Sequence, residues 1–190
     1  MLNIVIFGAP GSGKGTYSAR LVEIFGIEHI STGDVLRSEI KNGTELGKVA
    51  KSYIDNGQLI PDDLMIGILA NVYDNLPQGS KGVILDGFPR TIAQAEALKQ
   101  MFAERGEKLS TVIDLEVSED ILMMRLLRRA QIEGRADDNE ETIRKRFAVY
   151  DTQTKPLLEW FEKEGVLCTL PYSGSRELFA REIIDKVANL

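Results

Sequence analysis

Four glycines, a lysine and a threonine share the nine residues Gly8 to Thr16, in the run GAPGSGKGT. Glycines at 8, 11, 13 and 15 accept positive φ and let main-chain N–H groups approach an anion with no Cβ in the way. Lys14 adds a mobile positive charge. The run follows the apolar segment Leu2 to Phe7, which reads as a strand, and precedes residues spaced as a helix, whose positive dipole end would point at the same place. Such a strand, turn and helix make a phosphate cradle, and the phosphates of a mononucleoside triphosphate are the expected occupant. The usual pattern has Ser or Thr directly after the lysine; Gly15 intervenes here before Thr16, which leaves magnesium ligation by Thr16 open. The dinucleotide pattern GxGxxG is not met, because Gly11, Gly13 and Gly15 alternate.

Two further groups could act on phosphate. Asp86 ends the apolar run Gly82 to Leu85, where a carboxylate beside the cradle can hold magnesium, directly or through water. Six arginines, at 125, 128, 129, 135, 144 and 146, lie within 22 residues of a chain whose net charge is -6. Basicity concentrated against the overall sign indicates a specific polyanion site, while the acidic balance argues against general nucleic-acid or anionic-membrane binding. Forked guanidinium donors suit a transferring phosphoryl group, whose charge spreads over three oxygens, and such a transfer needs no dedicated general base. Arg128 and Arg144 read as solvated helix-face residues.

The elements that must position these groups alternate along the chain. At 190 residues, 43% hydrophobic and 27% charged, the chain is expected to form one soluble domain. No apolar run approaches the roughly 20 residues of a membrane helix, and the opening strand leaves no room for an export signal. The single cysteine, Cys168, reads as buried in a strand; it cannot form an internal disulfide or a multi-cysteine zinc site, and the cytoplasm is the expected compartment. Helices are expected from Thr16 to Phe25, 31 to 42, up to Gly57, from Pro61, from Thr91 to Arg105, from Ser118 to about Ala130, from Glu140, and from Glu177 to Leu190. Strands fall at 2–7, 27–30, 82–86, 111–117 and 166–170, with Pro156 expected to kink or restart the long helix. The result is an α/β fold, a five-stranded parallel sheet wrapped by helices of the P-loop NTPase type. Residues 31–60 form a helical insertion, and Gln131 to Asn139 break the helical pattern. His29 reads as a structural loop residue, and Met123, Met124 and Trp160 as core.

With GFPR at 87–90, the chain resembles the adenylate kinases, within the nucleoside monophosphate kinases. The resemblance covers nearly the whole chain: GAPGSGKGT at 8–16, STGDVLR at 31–37, GQLIP at 57–61, DGFPRTIAQ at 86–94, RLLRR at 125–129, GRADD at 134–138 and RKRF at 144–147. It implies that Gly11, Ser12, Gly13, Lys14, Gly15 and Thr16 bind ATP phosphates, with Lys14 following the transferred group. It places Thr32, Arg37, Gln58, Leu59, Ile60, Gly87, Phe88, Pro89, Arg90 and Gln94 around AMP. Arg125 and Arg129 match arginines flanking ATP, Arg135 and Arg146 those reaching across both substrates, and Arg176 a contact near the ATP adenine. Lys14, Arg90, Arg125, Arg135 and Arg146 are thereby the expected catalytic set, and the Gly15-Thr16 ending is shared with the family.

The resemblance also implies a core of 1–30, 61–127 and 139–190, an AMP-binding insertion at 31–60 and a short lid at 128–138. The expected reaction is reversible transfer from ATP to AMP giving two ADP, with magnesium and without zinc, by a monomer. Tyr17 stands where relatives often carry Gln. A UMP/CMP kinase is the nearest rival, but Thr32 stands where pyrimidine kinases carry Ala and Gln94 where adenylate kinases read adenine. A guanine-nucleotide switch would show an NKxD-type motif, and the chain has none.

Overall fold

The computed structural model describes residues 1–56, 60–134 and 139–190. Among these lie five strands, β1 (Leu2–Gly8), β2 (Glu28–Ser31), β3 (Gly82–Asp86), β4 (Thr111–Glu116) and β5 (Leu167–Pro171), all parallel and ordered β2-β3-β1-β4-β5. Eight helices connect them: α1 (Lys14–Phe25), α2 (Thr32–Asn42), α3 (Glu45–Asp55), α4 (Asp62–Asp74), α5 (Ile92–Ala103), α6 (Glu119–Glu133), α7 (Glu140–Lys163) and α8 (Arg176–Ala188). The α/β fold expected from the sequence is the one observed.

The strands read as unbroken apolar runs because both faces of the sheet are covered. Side chains alternate along β1, so Ile4 and Ile6 meet Tyr17 and Leu21 of α1 and Phe179 and Ile183 of α8. Val5 and Phe7 point the other way, onto Leu69 and Tyr73 of α4, Leu98 and Phe102 of α5, and Leu157 and Phe161 of α7. A third cluster, Leu122 and Leu126 against Ile143 and Phe147, fastens α6 to α7 and includes Ala9 of the glycine-rich turn. The turn is thus tied to the two helices that carry five of the six clustered arginines.

Several local expectations change. α6 continues past Ala130 to Glu133 and ends on Gly134 at φ 63, so residues 128–133 are helical. α7 runs as one element with Pro156 inside it and does not restart; the apolar positions Ile143, Phe147, Leu157 and Phe161 lie on both sides of the proline and bury a common stripe. Cys168 is half-buried, because β5 is an edge strand. His29 lies on β2 rather than in a loop. Met124 is 63% exposed, not core: its neighbour Met123 turns toward the third cluster, and one residue along a helix rotates the side chain away from it.

Asp114 on β4 has a buried carboxyl, 8% exposed. Burial, reinforced by Glu116, pushes its pKa up to about 6, against a hydrogen bond with Thr169 that pulls it down. The folded state therefore holds this proton more tightly than the unfolded chain, and its stabilising effect is present below about pH 4 and lost as pH rises to about 6. Asp114→Asn removes the titration. Its stability relative to the native chain should grow by roughly 2–3 kcal/mol from pH 4 to pH 7. Urea unfolding at both pH values checks this, and parallel profiles would contradict it.

Candidate functional site

The cradle forms where β1 stops and α1 starts. A Cβ on Gly8 would lie 2.3 Å from the Ser12 Oγ and 3.1 Å from its Cβ, so any side chain there would push Ser12 out of place. Ser12 is 1% exposed and its hydroxyl has no hydrogen-bond partner among the described residues. Gly13, at φ 97, is the N-cap of α1, and that helix has no side-chain cap and no acidic residue in its first turn. An uncompensated helix N-terminus beside an orphaned buried hydroxyl is suited to an anion. The Lys14 Nζ folds back and donates to the Gly8 carbonyl at 2.5 Å. Burial pulls the Lys14 pKa below its ordinary value, Asp86 opposes that, and Arg146 adds to it.

Two cavities open from this point at the carboxyl ends of β1 and β3, the crevice where an open parallel sheet binds ligands. One, of about 610 Å3, is walled by Gly11, Gly13, Lys14, Gly15, Thr16, Arg125, Arg129, Arg146 and Arg176. These are the residues expected around a triphosphate, apart from Ser12, which lies buried beneath them. The other, of about 520 Å3, is walled by Gly87, Pro89 and Arg90 on one side and by Lys145, Tyr150 and Gln153 of α7 on the other. Lys14, Asp86 and Arg146 line both. A group passing between the cavities would pass these three side chains.

The other expected acceptor residues gather less completely. Thr32, buried, donates to the Gly87 carbonyl at 3.3 Å, and the Arg90 Nε donates to the same oxygen at 2.9 Å. The Gln94 amide oxygen accepts from the Arg90 backbone N–H at 2.8 Å, and its nitrogen donates to Asp62 at 2.7 Å. Gln94 thus fixes the loop after β3 but does not line the second cavity, and neither do Thr32, Arg37 or Phe88. Phe88 is buried in the core, and Arg37 is exposed in an ion pair with Asp34 one helical turn earlier. Ile60 is half-buried. Gln58, Leu59 and Arg135 lie outside the described residues, as do lid positions 135–138.

Some lining residues were not anticipated. Arg20 joins the larger cavity from α1, four residues after Thr16 and so on the same helix face, a spacing legible in the sequence. Lys145, Tyr150 and Gln153 reach the smaller one through the packing of α7 on the sheet, for which the sequence offers no local signal. The His29 Nε2 stands 3.8 Å from the Asp86 carboxylate, because Ser31 of β2 pairs with Asp86 of β3.

Magnesium fits this donor set in a restricted way. Asp86 and Thr16 line one cavity, yet among the described residues no group of three or more His, Cys, Asp or Glu could enclose a metal. One carboxylate and one hydroxyl suit an ion that keeps several waters and is held largely by substrate phosphates.

A parallel sheet with a glycine-rich turn and helix N-terminus at its switch point, faced by arginines, defines the P-loop nucleotide-binding class. The family model for adenylate kinase matches residues 6–166. The chain is 71% identical over 190 residues to an adenylate kinase of Bacteroides thetaiotaomicron and 62% identical over 190 residues to one of Phocaeicola vulgatus, covering all of both chains in each case. It is 49% identical over 189 residues to an adenylate kinase of Porphyromonas gingivalis, covering 98% of this chain and 97% of that one. The chain belongs to the adenylate kinase family. These relatives give no support to the UMP/CMP kinase alternative.

Proposed function

We infer that the chain transfers a phosphoryl group reversibly from ATP to AMP, giving two ADP and serving adenine-nucleotide homeostasis. The observation that carries the assignment of roles is the sharing of Lys14, Asp86 and Arg146 between the two cavities. The larger cavity takes ATP, its phosphates in the turn from Gly11 to Thr16 and flanked by Arg125 and Arg129, with Arg176 toward the base. The smaller takes the AMP phosphate beside Arg90, with the insertion at 31–60, Gln58 and Leu59 closing around the nucleoside.

Chemically the residues do three things. Backbone N–H groups of the turn neutralise the donor phosphates without moving, which is where preorganised dipoles count most. Lys14 accompanies the migrating group; its folded-back contact with Gly8 shows the reach of its side chain along the turn. Arg90, Arg125, Arg135 and Arg146 supply forked donors to the equatorial oxygens, on which charge accumulates. Asp86, with Thr16 as a second candidate, would hold a magnesium ion directly or through water, and that ion would supply positive charge to offset the phosphates. Water competes as acceptor, so the clamp must be completed only when both substrates are present, the role of a lid at 128–138. The reading includes a zinc-free monomer acting in the cytoplasm, in keeping with the single half-buried cysteine. Among the described residues no helix is long and apolar enough to cross a membrane.

The choice of acceptor base tests the role of Gln94. Its amide is now held between Arg90 and Asp62, both partners exposed, and can exchange Asp62 for the edge of an adenine, offering one donor and one acceptor. AMP should exceed CMP, UMP and GMP by more than tenfold in kcat/KM with MgATP, since each buried polar group left unpaired by a wrong base costs about 1–3 kcal/mol. Gln94→Ala should weaken AMP use and narrow that preference while leaving KM for ATP within about twofold. An unchanged preference in the variant would remove Gln94 from the base site.

A further inference from the structure

Arg125, one of the arginines of the larger cavity, lies over an aromatic ring. Its Cζ lies 4.7 Å from the centroid of the Tyr172 ring, just beyond the end of β5. Its two hydrogen bonds, from Nη1 to the carbonyls of Gly11 and Ser12, are long at 3.3 and 3.4 Å. Long contacts from a single nitrogen do not fix the plane of a guanidinium on so flexible a stem, whereas a ring face beneath it does.

Tyr172 is itself held. Its backbone N–H donates to the Glu116 carbonyl at 2.8 Å, tying it to the end of β4. Its ring meets Phe179 edge-on, with centroids 5.3 Å apart at 89°, and Phe179 is wholly buried. Tyr17 packs edge-on against the same Phe179, at 5.4 Å and 87°. At its far end the Tyr17 ring lies under the phosphate turn, close enough that a Cβ on Gly13 would stand 2.9 Å from it. One aromatic group, Tyr17–Phe179–Tyr172, therefore supports the turn at one end and Arg125 at the other, fixing their spacing through the core rather than through the solvent-facing cavity. This also gives the unexpected Tyr17 a physical role.

We propose that Tyr172 is a positioning residue for the donor site, its ring face holding the Arg125 guanidinium over the phosphate turn. The proposal rests on reading the larger cavity as the ATP site. The ring and not the hydroxyl does the holding, so Phe should replace it and an aliphatic side chain should not.

Calorimetric titration of MgATP and of AMP, each alone, separates the outcomes. Tyr172→Leu should raise Kd for MgATP about threefold to thirtyfold, the range expected for a partly desolvated cation–π contact, and leave Kd for AMP within about twofold. Tyr172→Phe should stay within about threefold of the native value for both, and Tyr172→Met serves in place of Leu if the latter does not fold. In an Arg125→Ala background the Tyr172→Leu change should add nothing further. Equal weakening of both substrates, a Phe variant as impaired as Leu, or additive effects with Arg125→Ala would each overturn the proposal. An Arg125→Ala variant that binds MgATP normally would instead bring down the donor-cavity reading, and this proposal with it.

Discussion

Lys14→Met folds normally and loses at least three orders of magnitude in kcat. The methionine keeps the length and apolar stem of the lysine, which is half-buried between the turn and the sheet, so the packing of α1 has little reason to change. What disappears is the only charged side chain on the turn itself, placed where the two cavities meet. Charge stabilisation is the main catalytic contribution in phosphoryl transfer, and a loss of about 4 kcal/mol corresponds to about 10³ in rate. The burial that lowers the Lys14 pKa also means that the ammonium is poorly hydrated before substrate arrives, so its charge is available to phosphate at small desolvation cost. Steady-state turnover, with a thermal melt to show an intact fold, checks this. Turnover within tenfold of native in a folded variant would contradict the assignment of the cradle.

Arg146→Ala should fall about as far, by roughly 10³-fold in kcat, the scale at which arginines act on transferring phosphoryl groups. Arg146 stands on α7 one residue before Phe147, whose side chain locks that helix to α6, so its position over both cavities is set by the core. Its loss should lower kcat far more than it raises KM for either substrate, because a side chain shared by both sites contributes most when charge lies between them. Arg144→Ala, on the same helix in an exposed pair with Glu140, is the matched control and should change kcat by less than twofold. A large rise in KM for one substrate with kcat preserved would place Arg146 in a single subsite.

The difference between these two arginines marks how far the sequence can be read. The cradle was legible because its requirement is local: backbone N–H groups, glycines and a lysine within one turn need no distant partner to make sense. Asp86 was legible for a similar reason, since it terminates an apolar strand at the carboxyl end of the sheet, where ligands collect. Arg144 and Arg146 differ in sequence by two positions and in environment by a helix face; Arg144 read as a solvated face, and the resemblance to the family supplied the expectation for Arg146. Lys145, Tyr150 and Gln153 were missed because they reach the site through the angle at which α7 crosses the sheet, a tertiary quantity. Met124 was misjudged because apolar residues at 121–124, 126 and 127 fall on nearly every side of α6, so periodicity does not say which way Met124 turns. The continuity of α7 through Pro156 has the same origin: apolar positions on both sides of the proline pack on one core and outweigh the local preference for a break.

The central claim is tested most directly by following the phosphoryl group itself. ATP labelled in its γ-phosphate, mixed with AMP, magnesium and the protein, should deliver the label to the β-position of ADP formed from AMP, with free phosphate negligible and no transfer when AMP is omitted. Label released as inorganic phosphate at a comparable rate, or passed to CMP or UMP as readily as to AMP, would contradict it.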